Sequence, residues 1–311
     1  MDFKRERVRA HNRWPDKIFF KAEEIFNARL EEFGVDQLFT PLQISESDDR
    51  DYQLCVGHLI DGLEALPLRP DYLLDHAIKV IELAGTSLAP NGGIRGVMEK
   101  LGTALLALDR PNWEKIIDEL TGAMPVYLYE LMARRVLQIA TKPQTGPIKG
   151  LRGRAEHAFG KPFYDAFICK YTLDSHGALI TTADEDNKKP ASRLLKLYMS
   201  GRQGTRATPS TPSQLDLSDA RNVPSYERRI ECILSILLFT IRNERAHGSV
   251  ISPFRSSKAR IERYENYYFL TLLAYVFASG AMALKYHTVI SSDVLSCCRA
   301  NISLQRSFFT R

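Results

Sequence analysis

With 311 residues, 44% of them hydrophobic and 25% charged, the chain can bury the core of one large domain or two ordinary ones, and global disorder is excluded. A formal net charge of +5 leans basic and is compatible with a polyanionic partner. The five cysteines include no CxxC pair, and adjacent Cys297 and Cys298 suit neither a mutual disulfide nor a tetrahedral zinc site, so a reduced, cytoplasmic chain with no structural metal and no cofactor is expected.

The start, Lys4 to Trp14, mixes basic residues with an aromatic and lacks the apolar core of a secretory signal. It reads either as an RNA-contacting arm or as a solvated helix start. Ile18–Phe33 then places Phe19, Ala22, Ile25, Phe26, Leu30 and Phe33 at helical spacing, and Leu73–Leu83 and Ile94–Leu108 continue in the same style. The acidic clusters 46–51 and 184–186 lack the pattern of a calcium loop and read as surface. Trp113–Ala140 is helical but contains Gly122 and Pro125, which predicts a kink or two helices.

Gly146–Gly160 is a basic, glycine-punctuated connector in which Lys149, Arg152 and Arg154 are candidate RNA contacts, the alternative being a solvated loop. Phe163–Thr172 reads as a short helix, Ala178–Thr182 as a brief strand, and 199–222 as an exposed polar loop with Pro209 and Pro212. Ser225 is placed to cap a helix that carries Ile230, Ile233, Leu234, Leu237 and Ile241 on a broad stripe, and Gly248 is placed to close it. A second long helix spans roughly 258–286. Its stretch Tyr267–Leu284 carries Tyr, Thr, Ser and Gly and reads as a core helix rather than a membrane span. The expected fold is an all-α helical bundle in three segments: an N-terminal helical region, 1–142; a connector with short helices and a polar loop, 143–222; and the C-terminal part of the bundle, 223–311.

The apolar stripe ends in IRNERAHGSV, residues 241–250. Arg242 and His247 are five positions apart, about 140° around a regular helix. Either the helix loosens near Gly248 or a site is assembled from two copies of it. A guanidinium offers a planar fork for phosphate, and an imidazole moves protons near neutral pH. Without acidic metal ligands beside them, these groups suit RNA cleavage in which the ribose 2′-hydroxyl attacks the adjacent phosphate. The plainer reading is that Arg242 and His247 serve the helix C-terminus and its dipole.

The string Arg242-Asn243-Glu244-Arg245-Ala246-His247-Gly248, ending one long helix and leading to another, resembles the signature of the HEPN superfamily, an arginine and a histidine separated by four to six residues. The resemblance covers 225–286. It implies a helical bundle that dimerises to form a composite cleft, and a metal-independent endoribonuclease of toxin, abortive-infection or antiviral systems, with RNA as substrate. A sensor, an antitoxin or another defence-system protein would be a companion. Carried over, Arg242 and His247 would be catalytic and Asn243 would support them, while Arg245, in the variable interior, is a candidate RNA contact. Family toxins paired with nucleotidyltransferase antitoxins often carry a tyrosine two residues after the histidine, where this chain has Ser249. The alternative is a non-catalytic helical module that binds protein or RNA.

Overall fold

Apolar residues three and four apart become helices along almost the whole chain. The computed structural model describes residues 3–205, 213–248, 252–257 and 259–310. Ser249, Pro209 and Pro212 lie outside these described residues. In chain order the helices are α1 (Phe3–Asn12), α2 (Lys21–Phe33), α3 (Arg50–Leu63), α4 (Pro70–Gly85), α5 (Gly93–Ala123), α6 (Val126–Thr141), α7 (Gly146–Phe159), α8 (Lys161–Thr172), α9 (Ala183–Asp186), α10 (Lys188–Ser200), α11 (Tyr226–Glu231), α12 (Phe239–Ala246), α13 (Ile261–Lys285) and α14 (Ser291–Phe309). Between α11 and α12, Cys232–Leu238 widens to π-helical pairing without breaking the rod. The fold is all-α. The expected strand 178–182 is reduced to one bridge between Leu173 and Leu179, because the segment it meets is the end of α8, which offers only the bonds from Ile180 N–H to Thr172 O and from Asp174 N–H to Ala178 O.

The chain parts into two compact units, residues 1–87 with 242–311, and residues 88–241. These limits differ from the 1–142, 143–222 and 223–311 segments drawn from composition, and residues 223–241 fall in a different unit from 242–311. A change in polarity marks a loop, and a loop inside a unit looks the same in sequence as one between units.

In the first unit, α13 is the central helix and packs chiefly on α4, with α14 and α2 also against it and α3 on α4. It is long and apolar enough to cross a membrane, yet 89% of its most apolar window is buried in the protein. Leu272, Leu273 and Phe277 are fully buried, each stabilising the fold by about 1.5–3 kcal/mol relative to exposure. Polar pins fix the register: Tyr268 Oη donates to Pro67 O at 2.8 Å and Thr271 Oγ1 to Pro70 O at 2.7 Å. Phe26 of α2 stacks on Tyr264 with centroids 3.8 Å apart. Gly62 lets α3 close tightly on α4, since a Cβ there would stand 2.8 Å from Leu73 Cα and 3.2 Å from His76 Cβ.

In the second unit, α10 and α9 pack on α6, α11 on α5, and α7 on the π-helical segment. The anticipated break falls at Met124-Pro125, between α5 and α6, and α5 itself kinks at Asp109, two residues before Pro111. The connector 146–160 is not a loop but α7. Leu151, Ala155, Ala158 and Phe159 bury one face of it, and that burial outweighs the roughly 1 kcal/mol cost of each interior glycine. Buried Arg229 ties the unit together by donating to Met199 O, Asp118 Oδ1 and Thr121 Oγ1 at 2.7, 2.8 and 2.7 Å. Ser225 caps α11 through the Arg228 N–H, as its position predicts.

Candidate functional site

The rod that begins at Ser225 ends where its apolar stripe ends. Ala246 is the last helical residue, and His247 sits in the turn beyond it. Gly248 takes φ +64° and donates its N–H to Arg245 O at 3.1 Å. This left-handed closure satisfies a terminal carbonyl and favours glycine. The His247 N–H still donates to Asn243 O at 3.0 Å, a regular helical bond, so the helix loosens only at Gly248, after the histidine.

Arg242 is half-buried, 32% exposed, on the wall of a cleft of about 310 Å³. Tyr72, His76, Lys79 and Glu82 of α4 line the facing side, with Arg242 and Arg245 on the other. Arg242 Nη1 donates to Asn243 Oδ1 at 3.3 Å, and its Nη2 stands 3.9 Å from Glu82 Oε2. Both contacts are long and weak, so a bidentate oxyanion could displace them at little cost. Asn243 thus contacts the arginine it is expected to support. His247 is exposed, and among the described residues its imidazole makes no hydrogen bond. His76 titrates below the ordinary histidine value, because burial and then the nearby Lys79 and His58 disfavour its charged form.

Arg245 behaves differently from its neighbours. Only 13% exposed, it donates to both Asp75 oxygens, Nε to Oδ1 at 2.7 Å and Nη2 to Oδ2 at 2.6 Å, and also to Asp71 Oδ2 at 3.0 Å. Asp71, fully buried, also accepts from Arg69 Nε and Nη2 at 2.9 and 2.8 Å. Burial works against the Arg245 charge, but the Asp75 and Asp71 carboxylates outweigh it and hold the guanidinium above the ordinary arginine value. The expectation that Arg245 contacts RNA is therefore corrected: its Nε and Nη2 are held by Asp75 and Asp71, fastening the helix end to α4.

Arg154 is corrected in the same way. It is 7% exposed, donates from Nε to Ser235 O at 3.0 Å and lies over the Phe239 ring at 4.6 Å. It thereby gives a carbonyl of the π-helical segment a partner. Burial, followed by the charge of Arg95, lowers its pKa to about 10. Lys149 and Arg152 remain exposed on α7, where they are open to an anion. They belong to the second unit, and Arg242, Asn243 and His247 to the first.

A further group was not read from the sequence. His58 Nδ1 lies 3.3 Å from His76 Nδ1, and Asp61 Oδ2 lies 4.0 Å from the latter. The available signal was His58-x-x-Asp61, one turn apart on a single helix, but its third member comes from α4. Comparison of the chain with family models, curated proteins and solved structures finds no match.

Proposed function

We propose that the protein is a metal-independent endoribonuclease of the HEPN type, with Arg242 and His247 as its catalytic residues and Asn243 as the group that orients Arg242. One observation carries this reading. Within a single heptapeptide, Arg245 is consumed by two carboxylates, whereas Arg242 and His247 remain turned toward a cleft and toward solvent. Structural bases at a helix end would be expected to resemble Arg245.

In the chemistry supported, a 2′-hydroxyl attacks the adjacent phosphorus and the 5′-oxygen leaves, giving a 2′,3′-cyclic phosphate. Arg242 would meet the charge that grows on the phosphoryl oxygens. One His247 accepts the hydroxyl proton, and a second copy, supplied by a two-fold dimer, gives a proton to the leaving oxygen. The setting proposed is a cytoplasmic defence or toxin effector, with RNA as substrate.

The decisive experiment incubates purified protein with a labelled oligoribonucleotide in excess EDTA, beside His247→Ala and Arg242→Ala. Cleavage to cyclic-phosphate ends is expected in wild type, with losses of about 100-fold or more in each variant. Equal cleavage by wild type and both variants would remove the reading. The alternative, a non-catalytic assembly module, draws on the Arg245–Asp71–Asp75 network, which gives part of the motif an architectural task. It predicts no cleavage by the wild type.

A further inference from the structure

Two imidazoles and a carboxylate converge at the joint between α3 and α4. His58 and Asp61 stand one turn apart on α3, and His76 faces them from α4. Their ligand atoms all lie within 4.8 Å of one another. The Nδ1–Nδ1 separation of 3.3 Å matches the edge of a tetrahedron whose centre-to-ligand bonds are about 2.0–2.1 Å, as zinc–imidazole bonds are. Asp61 Oδ2, at 4.0 Å from His76 Nδ1, is slightly outside that edge. It belongs to a side chain 66% exposed, which can rotate inward without disturbing packing. Both histidines are only partly buried, so an ion has a path in and a water can complete its shell. Gly62 sets the geometry, because any larger residue there would push α4, and His76 with it, away from α3.

We propose that His58, His76 and Asp61 form a site for a divalent transition cation of the zinc class, bound by two imidazole nitrogens and one carboxylate with the remaining position open to water. Nitrogen and carboxylate donors in this ratio suit Zn²⁺ and Co²⁺ and disfavour Ca²⁺ and Mg²⁺, which take oxygen. Asp75, the neighbour of His76 in sequence, contributes a carboxylate whose charge is matched by Arg245, while Lys79 opposes a cation there. His76 also lines the Arg242 cleft, so the bound ion would stand at the wall of that cleft. The site is independent of the ribonuclease reading.

The test titrates chelator-stripped full-length protein with Co²⁺ alone, followed by visible absorption, and with Zn²⁺ by calorimetry. Expected are one equivalent bound per chain, the intense bands of four-coordinate cobalt, and their loss on adding Zn²⁺. His58→Gln and His76→Gln should each weaken binding about 100-fold or more, and Asp61→Asn about tenfold. His176→Gln, at an exposed histidine of the other unit, should leave binding unchanged. The glutamine variants keep hydrogen-bonding capacity at partly exposed positions, and unchanged melting curves would verify their fold. Absence of Co²⁺ and Zn²⁺ binding by wild type would overturn the site. So would equal affinity in wild type and the His58→Gln/His76→Gln double variant, leaving the pair a simple imidazole hydrogen bond.

Discussion

At the scale of single residues, three positions separate two arginines with opposite tasks. Arg245 holds buried Asp71 and half-buried Asp75. Removing it leaves carboxylates short of their partner, and Arg245→Ala is expected to destabilise the protein by about 3 kcal/mol. Arg242→Ala, which loses only long contacts, should shift stability by less than about 1 kcal/mol. Chemical denaturation of the two variants measures the contrast, and equal losses would refute it. Loss of function on changing Arg245 would thus report folding, not chemistry. Asp184 offers a test in the other unit. It is 2% exposed, and although burial opposes its charge, Gln138, Lys142 and Thr141 outweigh this and hold it below the usual 3.8. A depressed carboxylate stabilises the fold above its unfolded value, and that contribution is lost as pH falls through the folded value. Asp184→Asn should therefore cost roughly 1–3 kcal/mol at pH 7, and the cost should shrink as pH falls through the folded value and the wild type becomes protonated too. Urea titrations over a series of pH values from 7 downward check this.

At the scale of elements, helices whose apolar faces recur at three and four residues were legible: α2, α4, both parts of α5, and the rod from Ser225 all fall where that spacing puts them. The helix α7 was not, because glycines and bases at positions 149–154 hide a stripe that only tertiary burial makes decisive. The candidate motif was legible because Arg242, Asn243 and His247 are local in sequence. The roles of Arg245 and Arg154 were not, since their partners lie 170 and 81 residues away. The same holds for His58 and His76, joined only by the docking of α3 on α4. That docking depends on Gly62. In Gly62→Ala the new methyl meets Leu73 Cα at 2.8 Å, a backbone atom that cannot swing aside, so α3 must lift. The expected cost is about 1–3 kcal/mol, with a parallel weakening of Co²⁺ binding. Unchanged melting and cobalt spectra would show that the two helices are not held this closely.

At the scale of the whole molecule, the chain builds one unit from a continuous stretch and the other from two distant ones. Residues 88–241 carry their own core, including fully buried Trp113, Tyr129 and Leu195. As a separate fragment they are expected to give a helical circular-dichroism spectrum and a cooperative melt. Residues 242–311 alone lack α4, the main partner of α13. They should give neither until residues 1–87 are added back. A cooperative melt from 242–311 by itself would contradict this division.

The buried placement of α13 has a consequence in time. A ribosome releases α4 first and must then synthesise all of residues 88–241 before α13 begins. At about 5–20 residues per second this is a wait of roughly ten to thirty seconds, during which α4 has α3 against it but the apolar face that α13 will take has no lasting cover. When α13 does emerge, it does so as a segment greasy enough to suit a bilayer. Its safe arrival depends on α4 being ready to receive it, and slowed or truncated synthesis near residue 285 should favour aggregation or chaperone capture over folding.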